Sequence, residues 1–194
     1  MDIEEFFQLC AGKWFTQRTS HNLASQKSES DQFTAIAVMV QKDAPEAVSL
    51  CQQHQLDPTR IIGGLRLAPD QPKTEARSRF SQFLPESKNK DKDDDTTLLV
   101  LVADTENPQQ GKILRCNGSP ESLLAPSEYV LGNDDSLTLT TVDGALHAEE
   151  RLWFASENLR MRTSLLKQGD GVCVASFFSE IRLGAAKPSE SDDT

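Results

Sequence analysis

Two arginines, Arg160 and Arg162, stand two residues apart in Leu159-Arg160-Met161-Arg162-Thr163-Ser164. In a strand, side chains at i and i+2 leave the same face. The pair then presents two guanidinium forks on one surface of a chain whose formal net charge is -10. Each fork can hold a carboxylate through two parallel hydrogen bonds, so the spacing suits one ligand that carries two carboxylates. The competing reading is a solvated strand face with two ordinary surface arginines, the commoner state of charged residues. Spacing alone leaves both open.

A third group enters through the hairpin between strands predicted at 146–154 and 159–167. With an even loop, Arg160 and Arg162 share a face with Arg151 and Trp153. With an odd loop they share it with Glu150, Leu152 and Phe154. A three-residue loop, Ser156-Glu157-Asn158, can end on an asparagine in the left-handed region, which favours the odd loop. Glu150 then stands with the two arginines. Its other reading is a cross-strand ion pair with Arg162.

Nearly all of the elements that must position these groups read as strands: 13–23, 32–40, 60–67, 97–103, 111–116, 127–131, 136–142, 146–154, 159–167 and 172–183. Gly132-Asn133-Asp134-Asp135, Asp143-Gly144 and Gln168-Gly169-Asp170-Gly171 supply turns between them. A short helix over 1–10 repeats Ile3, Phe6, Phe7 and Cys10 at helical spacing. A second, over 44–55, has Asp43 as N-cap, Pro45 in its first turn and a face of Ala47, Leu50, Cys51 and His54. Ten short strands with an N-terminal and one additional helix predict an all-β chain folded as an antiparallel barrel, with a sandwich as the alternative. One domain covers 1–183. Within it, 69–96 reads as a flexible charged loop holding the run Lys88 to Asp95, and 184–194 reads as a disordered tail.

Composition narrows the function classes. At 194 residues the chain can bury a core, and no stretch is long and apolar enough to span a membrane. The acidic balance argues against nucleic acid as a partner. Met1-Asp2-Ile3-Glu4-Glu5 lacks the basic start of a signal peptide, so a cytoplasmic location is expected. Cys10, Cys51, Cys116 and Cys173 are far apart and have no histidine at metal spacing. They read as buried thiols in a reducing compartment, with no metal site.

Gly12-Lys13-Trp14, after a short helix and at the head of the first strand, resembles the Gly-x-Trp signature of lipocalin-like barrels. That resemblance implies that Trp14 plugs a closed end and that Arg182, in Ser179-Glu180-Ile181-Arg182, stacks on it through a cation–π contact. A wider set of blocks resembles the S/U-type phycobiliprotein lyases. They are Gly12 to His21 (GKWFTQRTSH), Glu149-Glu150-Arg151-Leu152-Trp153-Phe154, Asn158 to Ser164 (NLRMRTS) and Ser176 to Arg182 (SFFSEIR), with shorter echoes at Ile62-Gly63-Gly64 and Tyr129 to Gly132.

The resemblance implies a ten-stranded lipocalin-like barrel that holds an open-chain bilin, phycocyanobilin or a relative. The bilin is passed to a cysteine of an apo-phycobiliprotein subunit of phycocyanin or allophycocyanin type, as a thioether at the A ring. The bilin is substrate, and no tightly bound cofactor is expected. Its two propionates are the kind of ligand that Arg160 and Arg162 suit. A carboxylate in the block of Glu150 handles a proton or accepts from pyrrole N–H groups. If Trp14 points inward, so do Thr16, Arg18, Ser20 and Asn22, which makes Arg18 a third ligand-facing cation. His21 is a candidate for proton transfer, although parity turns it outward unless a bulge intervenes.

Two departures qualify this. Asn22 follows His21 where many relatives have a second histidine. Leu65 to Asp70 (LRLAPD) replaces a strand that is tryptophan-rich in many relatives. The missing tryptophan and the long charged loop tilt the reading toward a U-type subunit or a divergent paralogue, acting with an S-type lyase subunit or as a homodimer. The alternatives to a lyase are a non-catalytic bilin carrier and an interaction subunit.

Overall fold

Helix α1 (Ile3–Cys10) is started by its own sequence. Asp2 accepts from the Glu5 N–H at 2.8 Å, and the Glu5 carboxylate accepts from the Asp2 N–H at 3.0 Å. This reciprocal box satisfies two N–H groups that a helix start leaves without partners. Ile3, Phe6, Phe7 and Cys10 are all buried, as their spacing predicts. The computed structural model describes residues 1–70, 96–118, 124–169 and 171–184.

Ten strands follow: β1 (Gly12–Asn22), β2 (Lys27–Val40), β3 (Ile61–Pro69), β4 (Thr97–Ala103), β5 (Gln110–Asn117), β6 (Ser127–Leu131), β7 (Leu137–Asp143), β8 (Leu146–Ser156), β9 (Leu159–Gln168) and β10 (Gly171–Leu183). Each pairs antiparallel with its chain neighbour, and β10 pairs back on β1. The barrel is therefore closed, and the sandwich alternative is excluded. Strand β2 begins at residue 27 rather than 32, because its charged start lies against the polar end of β1, with Asp31 opposite Arg18. The expected loop and tail fall mostly on residues 71–95 and 185–194, outside the described residues.

Helix α2 (Pro45–Gln53) lies on the outer face of β3, β4 and β5. Ala47, Leu50 and Cys51 pack there against Val100, Val102 and Leu114. Its N-cap is Ala44, with no side-chain bond, rather than the expected Asp43. Pro45 takes the first helical position and holds the residue before it extended, so the cap falls one residue later. His54 is the half-buried C-cap rather than part of the apolar face.

The core lies inside the barrel at one end. The apolar face of α1 enters there and meets Leu101, Ile113, Tyr129 and Leu139. Phe6 meets Phe154 edge to face, with centroids 5.2 Å apart. Strand directions alternate, so the β1–β2 and β7–β8 connections lie at the opposite, open end.

Gly12 joins α1 to β1 at φ 126°, and a Cβ there would stand 2.6 Å from Arg182 Nη1. Gly144 also has positive φ (58°), but a Cβ there meets nothing within 4 Å. Gly12→Ala is therefore expected to cost about 3 kcal/mol and Gly144→Ala about 1 kcal/mol. Urea denaturation midpoints of the two variants check the difference; equal losses would contradict the tight junction.

Candidate ligand site at the barrel mouth

Strand alternation puts Trp14, Thr16 and Arg18 of β1 inward, and all three are buried. They mark successive levels from the closed end upward. At the floor, Trp14 Nε1–H donates to the Cys10 carbonyl at 3.0 Å. The Arg182 and Arg160 guanidinium carbons lie 4.4 and 4.6 Å from the indole ring centre. Arg182 also donates to the Leu9 and Ala11 carbonyls at 2.7 and 2.5 Å. It thereby satisfies carbonyls at the C-terminal end of α1.

Arg160 Nε donates to Glu180 at 2.6 Å, and the Thr16 hydroxyl donates to the other Glu180 oxygen at 3.2 Å. Burial alone would raise the Glu180 carboxyl. Arg162, Arg160 and the Thr16 hydroxyl outweigh it and hold the group below the ordinary glutamate value. Burial pushes the neighbouring Cys10 thiol up.

One step up each strand the arrangement changes. Arg18 Nε and Nη2 donate to the two oxygens of Asp31, at 2.9 and 2.5 Å, a bidentate charge-assisted pair. Arg162 lies 3.8 Å over the Phe178 ring, and its Nη1 is 3.4 Å from Glu150 Oε2. Arg115 Nη2 on β5 lies 3.6 Å from Glu150 Oε1. Glu150, 7% exposed, thus stands between two guanidinium groups. Above them opens a cavity of ≈ 90 Å³, whose walls include Arg18, Arg115, Glu150, Ser164, Ser176 and Phe178. Ser20 and Ser176 share a hydrogen bond of 2.8 Å across β1 and β10.

The hairpin has the odd register. Phe154 faces Arg160, Leu152 faces Arg162, and Glu150 faces Ser164. The cause differs from the expected one. The turn is Glu157-Asn158, Asn158 has no positive φ, and a bulge at Ala155 supplies the extra residue. Arg151, which an even loop would have turned inward, pairs with Asp134 on the outside.

Arg160 and Arg162 do share a face, but at different depths. Arg160 belongs to the floor, whereas Arg162 reaches the cavity wall through Glu150. Arg18 and Glu150 line the cavity directly. His21 lies outside the lumen: β1 pairs with both neighbours without a register shift, and His21 is exposed, its Nδ1 2.7 Å from the Ser28 hydroxyl. The bulge that would turn it inward is absent from β1. Arg115 went unnoticed in the sequence, although its place two residues after Ile113 puts it on the lumen face. Among the described residues, no cluster of three or more His, Cys, Asp or Glu could hold a metal ion, and no helix could cross a membrane.

A family model described as CpeS-like protein matches residues 2–183. The chain is 40% identical to a chromophore lyase CpcS/CpeS of Thermosynechococcus vestitus, over 98% of each chain. It is 32% identical to a phycocyanobilin lyase subunit CpcS of Picosynechococcus, over 94% of this chain and 86% of that one. The structure of an S-type phycobiliprotein lyase CPES from Guillardia theta superposes with a TM-score of 0.70 at 28% identity, covering 96% of this chain and 95% of that one. These relatives bear S-type names, so the tilt toward a U-type subunit finds no support among them.

The floor pairing carries a pH signature. Because the folded Glu180 pKa is depressed, its stabilisation is present above the unfolded value of about 4.3 and is lost as pH falls through and below that value. Glu180→Gln leaves Arg160 buried without its carboxylate and is expected to cost about 3 kcal/mol at pH 7. The gap from wild type should shrink as pH falls below about 4. Denaturation midpoints taken from pH 7 to pH 3 read this, and a gap independent of pH would count against the pairing.

Proposed function

The chain belongs to the CpeS-like family, and from that membership we propose that it is a chromophore lyase. It binds an open-chain bilin and assists its attachment, as an A-ring thioether, to a cysteine of an apo-phycobiliprotein subunit. The observation that carries this reading is a likeness to named chromophore lyases that runs the length of the chain, in sequence and in fold. The Picosynechococcus relative's name supports phycocyanobilin as the bilin and action beside a second subunit. The client is of phycocyanin or allophycocyanin type. A reduced client thiol requires a reducing compartment, which places the reaction in the cytoplasm.

In this reading the open end receives the bilin. The enclosed space has room for a few waters, so a tetrapyrrole enters in part and lies across the mouth. Glu150 accepts from pyrrole N–H groups or handles a proton, at a site where burial strengthens such a contact. Arg162 and Arg18 add positive charge on the opposite side of the lumen from β5. Arg160 holds the floor through Glu180 and Trp14 rather than reaching the ligand. The nucleophile is the client's thiol, and the protein contributes orientation and exclusion of wrong attack.

Co-expression with a bilin-forming system and a panel of apo-subunits, with and without an S-type relative, tests the proposal. Acid-urea absorbance of the denatured client should report a covalent bilin. Glu150→Gln should lower the adduct yield by at least about tenfold. Bilin binding without any adduct would identify a carrier, and neither binding nor adduct would leave an interaction subunit.

A further inference from the structure

We propose that Arg115 is a carboxylate-gripping residue of the mouth, holding one propionate of the bilin. This rests on the reading of the mouth as the bilin site. Among the described residues, five arginines point into the lumen or onto its floor, and four are engaged elsewhere. Arg182 serves the end of α1, Arg160 holds Glu180, and Arg18 is bonded through two nitrogens to Asp31. Arg162 lies over Phe178 and against Glu150.

Arg115 differs. Its guanidinium has one polar contact among the described residues, the 3.6 Å approach to Glu150, which is too long for a hydrogen bond. A guanidinium carries five N–H donors in a fixed fork. Arg115 therefore keeps its fork available while lining the cavity.

Its placement follows from β5. Ile113 belongs to the lumen core, while Leu114 and Cys116 face outward beneath α2. Arg115 therefore enters the lumen from the wall facing β1 and β10. Side-chain exposure of 13% leaves it partly dried, where a charge-assisted bidentate bond to a carboxylate is stronger than at the surface. Glu150 keeps the fork aimed along the wall, and an arriving propionate takes the remaining donors.

The test uses phycocyanobilin and its dimethyl ester, which has the same rings and no carboxylates. Both are titrated by absorbance into the full chain and into Arg115→Gln. Arg115→Gln should weaken binding of the diacid by about tenfold or more. Affinity for the diester should stay within about twofold, so the preference for diacid over diester falls by the same factor. Arg115→Lys keeps the charge but loses the fork, and its preference should lie between; it carries the test if Arg115→Gln does not fold. Equal losses for both ligands would overturn the proposal, because Arg115 would then act only by shaping Glu150. Unchanged diacid affinity would overturn it as well. If the wild-type chain binds neither ligand, the bilin-site reading itself fails, a result distinct from both.

Discussion

The contact on which the barrel depends is the Trp14 indole with two guanidinium groups against it. Arg182 brings the end of the last strand to the indole, and Arg160 brings the ninth strand. The indole N–H and the Arg182 fork bind carbonyls at the end of α1. A plug helix, the first strand and the last two strands thus meet at one ring. A cation held over a desolvated indole is favourable, and each guanidinium here also has an oxygen partner, so the buried charge is compensated. Once this level is fixed, strand geometry sets the height and facing of every residue above it.

That constraint divides the lumen. The floor holds Arg160 and Thr16 bonded to Glu180. The level above holds Arg18, Arg162, Arg115 and Glu150 around a small cavity that opens to solvent. The two arginines of the 160–162 motif fall on either side of this division. A residue two places along a strand is about 7 Å further up the barrel wall, enough to separate a cation of the floor from one at the level of the cavity. The proposed function uses this separation. The floor must stay shut and charged groups near the bilin must stay oriented, while the client's thiol reaches the bilin from the open end.

Much of this was legible in the residues. Short strand-like runs, many of them set apart by turn signals, located the ten strands, and helical spacing of Ile3, Phe6, Phe7 and Cys10 found the plug. Trp14 and Arg182 were assigned to the fold by their resemblance to the lipocalin signature. The odd hairpin register was also reached, through an expected left-handed Asn158, whereas a bulge at Ala155 produces it. Alternation gives facing but not depth, so it did not show that Arg160 and Arg162 stand at different levels. The identity of its partner, Glu180 on a neighbouring strand, is a matter of register across strands. Arg115 escaped because β5 is apolar on both faces, one under α2 and one in the lumen. A single arginine there carries no pattern of its own, and only the closed sheet brings it to Glu150. His21 shows the converse: plain alternation turned it outward, and the paired strands keep it there.

The division of the lumen is the central claim, and arginine side-chain NMR tests it most directly. The Nε–Hε resonances of the isotope-labelled chain would be followed while phycocyanobilin is titrated. The account predicts that the Arg115 signal moves with saturation, while those of Arg160 and Arg182 hold their positions because the floor does not meet the ligand. Movement of Arg160 as large as that of Arg115 would show the ligand reaching the floor and would contradict it.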